Sequence, residues 1–199
     1  MTRYSALFAL LLHSALLTSG FADDKKIESA YYPLTVGNTW KYTATGDQKI
    51  TVTLSKFEKV GDEMCALLET KVGDNVGATE HIGVKEDGVY RYTFMGQKAD
   101  PPVRIIKLPP KTGDTWKVQS SVGPQKLAVN YTMKEEKVEV PAGKFSAIVT
   151  ETDEFMAGPV MMSAKIWYAK DVGMVKTVMK VAGQEVVLEL EKFDKGTGK

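Results

Sequence analysis

The feature that most constrains the fold is an alternation of apolar and polar residues with a period of two. The alternation is clearest in four segments, where the apolar residues are mostly β-branched, leucine or aromatic: 50–55, 127–132, 163–168 and 186–191. This pattern is typical of strands that bury one face. No segment after residue 30 shows a sustained helical period. The sequence therefore predicts an all-β protein.

Turn-forming residues separate the alternating segments at intervals of about ten residues. Most of these turns contain Gly next to Asp, Asn, Gln, Ala or Pro: 46–47, 61–62, 73–75, 87–88, 142–143, 158–159 and 183–184. The spacing predicts an antiparallel meander of about ten to twelve strands. We expect so long a sheet to curl, because twist accumulates and free edges promote aggregation. The sequence leaves a barrel, a half-barrel and a two-layer sandwich open.

A motif of the form P-x-x-x-G-[ND]-T-W-K occurs twice in the chain. The equivalent residues are Pro33 and Pro109, Gly37 and Gly113, and Trp40 and Trp116. We interpret each copy as a structural motif that begins a strand. The Pro ends the preceding element, the Gly supplies a positive φ, and the Trp closes one end of the core. A Trp that contacts a ligand is the alternative.

A second pair of similar segments, 86–89 and 170–174, follows the two motifs in the same order. Two correspondences in one order are typical of an internal repeat. We therefore predict a single domain built from two similar halves, about 31–95 and 107–181. Residues 100–102, Asp-Pro-Pro, are the predicted connection between the halves.

The first 22 residues have the pattern of a secretory signal peptide. Arg3 provides a positive start, 6–17 are mostly apolar, and small residues precede a cleavage point after Ala22. The apolar stretch is shorter than the roughly 20 residues that a membrane anchor needs, and no other apolar stretch is long enough. We therefore predict a secreted or periplasmic domain, residues 23–199, without an integral membrane segment.

Charge and cysteine content exclude several classes of protein. Residues 23–199 contain equal numbers of basic and acidic residues, which disfavours a dedicated nucleic-acid-binding protein. Cys65 is the only cysteine, so an intramolecular disulfide is excluded. Because Cys65 lies in the apolar run 64–68, we expect a buried and unreactive thiol.

Several short segments resemble a known family. They are 31–34, 37–40, 140–145, 167–169 and 172–176, in this order. The set resembles the TapB-like family of secreted bacterial proteins of unknown function. This resemblance implies a mostly β fold similar to the half-open barrel of periplasmic lipoprotein carriers. It implies no reaction and no catalytic residue, and a shared fold does not determine function.

We predict that the protein is not an enzyme. His81 is the only histidine after the predicted signal peptide, and its neighbour Glu80 would face the opposite side of a strand. One His and one Cys cannot form the usual zinc sites, so we predict no metal and no cofactor. The segment 156–179 is rich in Met, whose thioether suits Cu(I), but no His or Cys accompanies it. Adaptable apolar packing is the better interpretation.

The sequence favours a binding or carrier module for an apolar ligand, such as a small molecule or lipid, because concave sheets and barrel mouths are common ligand sites. The candidate lining residues are Tyr90, Tyr92, Phe94, Met161, Met174 and Met179. The alternative is a structural or interaction module that binds another protein of the envelope or of a secreted assembly.

Overall fold

The computed structural model of the protein describes residues 28–198, so the predicted signal peptide lies outside the described residues. Residues 28–198 form thirteen strands in one antiparallel sheet. The strands are β1 (Thr39–Ala44), β2 (Gln48–Val60), β3 (Glu63–Val72), β4 (Asn75–Lys85), β5 (Gly88–Phe94), β6 (Gln97–Lys107), β7 (Thr115–Val122), β8 (Gln125–Val140), β9 (Gly143–Thr152), β10 (Phe155–Ala157), β11 (Val160–Ala169), β12 (Gly173–Val181) and β13 (Gln184–Asp194). No helix in this part of the chain is long and apolar enough to cross a membrane.

The sheet closes into a barrel. Strands β1 to β9 pair in sequence order, β11 to β13 do the same, and β13 pairs with β1. The pairing of β9 with β11, from Glu151↔Lys165 to Ala147↔Ala169, closes the ring. Twelve strands form this ring, while the three-residue β10 pairs with β11 beyond the end of β9. The all-β meander is confirmed, and of the three architectures the closed barrel is observed.

The pairing register and burial show which side chains face the interior of the barrel. On β1 the buried Trp40, Tyr42 and Ala44 alternate with the exposed Lys41 and partly buried Thr43. Neighbouring strands continue this face, because side chains of directly paired residues lie on the same side of a sheet. The outer face carries cross-strand ion pairs such as Lys49–Glu191 and Lys176–Glu189, each at 2.6 Å.

The chain segments before β1 and after β13 lie at one end of the barrel. The Asp171 amide, in the β11–β12 turn, donates to the Ala30 carbonyl at 2.7 Å. Asn38 is fully buried and joins both segments. Its Nδ2 donates to the Pro33 carbonyl at 2.9 Å, and its Oδ1 accepts from the Gly196 amide at 2.8 Å. These segments therefore cover this end, which we call the closed end.

The two motif copies have the same local geometry. Gly37 and Gly113 have φ values of 88° and 89°. Their amides donate to the carbonyls of Leu54 and Met133, each at 2.9 Å. Both copies thus begin a strand, as expected. The wider division into two similar halves stays a prediction.

Residues 100–102, the predicted connection between the two halves, lie inside β6. The ladder between β6 and β7 consists of two pairs, Ala99↔Val122 and Asp100↔Ser121. It ends where Pro101 begins, because proline has no amide hydrogen to donate. Side chains provide further hydrogen bonds across this boundary. Ser120 Oγ donates to the Pro101 carbonyl at 2.7 Å, and Trp116 Nε1 donates to the Arg104 carbonyl at 2.9 Å.

Candidate functional site

Burial of the inner face differs between the two ends of the barrel. Toward the closed end the inner side chains are at most 7% exposed and form a packed core: Trp40, Leu54, Ile82, Val89, Ile106, Trp116, Met133, Ile148 and Leu190. Toward the opposite end, which we call the open end, many inner side chains are only partly buried. These residues are apolar: Ile50, Val52, Val72, Leu127, Ala164, Ile166, Met179, Val186 and Leu188.

Ring size explains this difference. Side chains just fill the interior of a barrel of about eight strands, whereas larger barrels leave space for ligands. In this ring of twelve strands, the terminal segments and the aromatic residues fill the closed end. The inner face of the open half is therefore apolar and partly exposed; we call the region that it encloses the apolar space and take it as the candidate site.

An ion pair lies within the barrel between the packed core and the apolar space. Arg91 Nε donates to Glu80 Oε2 at 2.6 Å, and the side chains are 33% and 17% exposed. Arg91 pairs in register with Ile82 and Val103, which are both buried in the core. The partial exposure of Arg91 therefore comes from the interior of the barrel.

Four tyrosines are electrostatically coupled to one or both members of this ion pair. Tyr42 and Tyr168 are buried, whereas Tyr32 and Tyr131 are partly buried. Tyr32 comes from the segment before β1, and its ring centroid lies 6.1 Å from that of Tyr168. We call Tyr32, Tyr42, Glu80, Arg91, Tyr131 and Tyr168 the polar layer. Its members come from six separate segments, which the folded barrel brings together.

Electrostatic coupling shows how near these groups are to one another. Burial raises the pKa of Tyr32 well above its ordinary value, and Glu80 and Tyr168 raise it further. Burial also raises the pKa of Tyr131 and of Tyr168, although the Arg91 charge opposes both shifts. Burial by itself would lower the pKa of Arg91, but Glu80 and Tyr32 raise it above its ordinary value. At neutral pH the tyrosines are therefore protonated and Arg91 is charged.

A β-bulge decides where the predicted aromatic lining residues lie. Ile82 pairs with Arg91 and His81 pairs with Thr93, so Tyr92 is the extra residue on β5. Tyr92 is 5% exposed and its ring lies against Gly83, close to Cys65 on the outer face. The bulge changes the alternation along β5, since it places the successive residues Tyr92 and Thr93 both on the outer side.

The structure separates the six predicted lining residues. Tyr90 lies on the outer face with Tyr92, where its hydroxyl donates to Asp87 Oδ2 at 2.7 Å. Phe94 is 41% exposed and pairs with Glu80 toward the open end. Met179 is paired with Ala164 on the inner face. Met174 is partly buried near the closed end and Met161 is 51% exposed, next to Met156 of β10.

His81 belongs to a hydrogen-bonded group on the outer face. One ring nitrogen, Nδ1, lies 2.7 Å from Thr93 Oγ1, and the other, Nε2, lies 2.8 Å from Glu58 Oε1. Glu80 lies on the opposite face, where it binds Arg91. The His81 group lies on neighbouring strands of the outer wall, so its hydrogen bonds join β2, β4 and β5.

Two further grooves occur elsewhere on the protein. One, of about 610 Å³, is lined by residues of β6, β7, β8 and β10, including Pro101, Gln119 and Met156. Another, of about 350 Å³, includes Tyr31, Glu135 and Ser146. Both grooves are lined mostly by charged and polar side chains. The barrel interior, where a charge lies next to an apolar space, is therefore the better candidate for a ligand site.

Comparison with known proteins adds information on the family and the fold. Residues 128–179, from β8 to β12, match the DUF3108-like family. No curated protein matches the sequence.

Two solved structures resemble the barrel. One is a protein described as a candidate lipoprotein from Parabacteroides distasonis, with 12% identity and a TM-score of 0.50. The other is described as a candidate exported protein with a YmcC-like fold from Bacteroides fragilis, with 13% identity and a TM-score of 0.52. Each match covers 82% of this chain and 98% of the other. At such low identity these matches show a common fold.

Sequence reasoning missed the polar layer. Glu80 and Arg91 are 11 positions apart in the chain, and they meet because β4 and β5 are neighbouring strands. One signal was present in the sequence. Arg91 lies two residues after Val89, an apolar residue of the inner face, and therefore shares that face of the strand. A charged residue on the otherwise apolar face of a strand indicates either the end of the strand or a buried partner for the charge.

Proposed function

We propose that this protein is a non-catalytic binding or carrier module that holds an apolar ligand in the open half of the barrel. The partly exposed apolar inner face, in a ring too wide for side chains to fill, carries the proposal. Exposed apolar surface is unfavourable in water, so a bound apolar molecule would stabilise the protein.

We propose that the protein acts in the periplasm or outside the cell. Three observations support this location: the leader pattern of residues 1–22, the motifs that resemble TapB-like secreted proteins, and the descriptions of the structural relatives as a candidate lipoprotein and a candidate exported protein. An apolar ligand that crosses an aqueous compartment needs a carrier, and an apolar space with one open end suits this role.

Native mass spectrometry of the protein purified from its own host tests the proposal. We expect a retained apolar mass that disappears after unfolding and delipidation. The delipidated protein should then bind N-phenyl-1-naphthylamine with an increase in fluorescence, and the host-derived ligand should displace this probe. Protein without a retained mass and without saturable probe binding would refute the proposal.

A second candidate function is that of an interaction module, as a group of exposed apolar residues suggests. Val76, Phe94, Met95, Met156 and Met161 are between 41% and 63% exposed, and all lie at or near turns of the open end. Such residues commonly contact other proteins. Crosslinking in envelope fractions tests this alternative, which requires a specific partner that is lost when Met95 and Met161 are replaced by Ser.

A further inference from the structure

Arg91 has hydrogen-bonding capacity that its ion pair does not use. A guanidinium carries five N–H donors. Within residues 28–198 the guanidinium donates to Glu80, which Nε reaches at 2.6 Å. The four donors on Nη1 and Nη2 remain for water or a ligand, and the 33% exposure of the side chain shows that water reaches it.

The rest of the polar layer is also rich in donors. Tyr32, Tyr131 and Tyr168 have raised pKa values, so their hydroxyls keep the proton at neutral pH. Glu80 is the one carboxylate of the layer. The Nη donors of Arg91, together with the tyrosine hydroxyls of the layer, match a chemical group with several acceptor oxygens.

We propose that the polar layer binds the anionic head group of an amphiphile whose apolar tail lies in the open half of the barrel. This inference rests on the proposed function and names the chemical class of its ligand. A carboxylate or phosphate accepts two parallel hydrogen bonds from the Nη groups of an arginine. Glu80 holds the guanidinium through Nε, so the opposite edge is free for the head group.

The inner residues on the two sides of Arg91 along β5 determine the direction in which the apolar tail extends. Toward the closed end the neighbouring inner residue is Val89, which is fully buried. Toward the open end lies Phe94, whose ring centroid is 5.4 Å from Arg91 Cζ. The packed core leaves no room for a tail below the polar layer. The tail therefore extends past Phe94 along the partly exposed apolar residues of the inner face.

The experiment compares amphiphiles that have the same tail and different heads. Delipidated full-length protein is titrated by calorimetry with dodecanoate, dodecyl phosphate and dodecanol. We expect the two anions to bind about ten- to a hundredfold more tightly than dodecanol, since each charge-assisted hydrogen bond contributes strongly in a partly buried site. Arg91→Gln should remove this preference and leave the affinity for dodecanol unchanged.

Arg104→Gln is the matched control. Arg104 is an arginine of the neighbouring strand whose Nη1 binds Asp87 on the outer face at 3.1 Å, and its replacement should leave both affinities unchanged. Equal binding of dodecanoate and dodecanol to the wild-type protein would overturn the head-group proposal and leave the carrier function standing. Failure to bind any of the three amphiphiles would overturn both. The comparison of dodecanoate with dodecanol on the wild-type protein tests the head-group proposal even if Arg91→Gln does not fold.

Discussion

Trp40 Nε1 donates a hydrogen bond of 2.6 Å to the carbonyl oxygen of Val172, 132 positions further along the chain. The bond connects the first strand of the barrel to the turn between β11 and β12 at the closed end. Trp116 makes the corresponding bond in the second motif, to the Arg104 carbonyl at 2.9 Å. Both indoles are nearly buried, with 3% and 7% exposure. The two motifs thus support the closed end from two separate positions of the ring.

Replacing either of these tryptophans by phenylalanine should destabilise the protein. We expect Trp40→Phe and Trp116→Phe each to lower the free energy of unfolding by about 1–3 kcal/mol, because a partly buried carbonyl loses its donor. Urea denaturation measures the effect. Trp167→Phe is the control and should cost less, since the partner of Trp167, Glu136, is 32% exposed and water can replace the indole. A larger loss for Trp167→Phe than for the other two would contradict this explanation.

The motif glycines offer a second test of the closed end. Gly37 and Gly113 have nearly the same positive φ, so alanine should cost about 1–2 kcal/mol at either position from backbone strain. A Cβ at Gly37 would also lie 3.3 Å from Gly196 Cα, whereas a Cβ at Gly113 meets no atom within 4 Å. Gly37→Ala should therefore destabilise more than Gly113→Ala in chemical denaturation. The reverse order would show that the contact with the C-terminal segment is unimportant.

Filling the apolar space should abolish ligand binding. Ala164 lies on the inner face of β11, paired with Met179, and Ser163 follows the opposite phase of the same strand. We expect Ala164→Trp to weaken the binding of N-phenyl-1-naphthylamine by about tenfold or more, because the indole would occupy the site of the probe. Ser163→Trp, which adds the same side chain on the outer wall, should bind the probe like the wild type. If both variants bound it equally well, the probe site would not lie in the barrel.

The thiol of Cys65 should react slowly and in a pH-dependent manner. Burial raises its pKa to about 11, and the residue is fully buried. Only about one thiol in a thousand is then ionised at pH 8, so the reaction with Ellman's reagent should accelerate about tenfold per pH unit up to about pH 11. Tyr92→Ala should speed the reaction by uncovering this region. The control, Tyr90→Ala, removes the neighbouring outer-face tyrosine and should have no effect.

Local sequence patterns were sufficient to predict the strands and several of the turns. Gly61, Gly73 and Gly183 lie between strands as predicted, and Cys65 is buried as its apolar neighbours indicated. These features depend on residues that are adjacent in the chain. The separation of Phe94 from Tyr90 and Tyr92 could not be derived in this way, because a single bulge at Tyr92 shifts the alternation of the strand end.

The sequence by itself determined an all-β meander with two similar strand-opening motifs, because alternation and turn chemistry are local properties. The tertiary structure decided how the meander closes. Closure depends on the pairing of β9 with β11, which no local pattern specifies. It also decided the site: Arg91, Tyr131 and Tyr168 come from strands far apart in the chain, and only a closed ring of twelve strands holds them around one interior space.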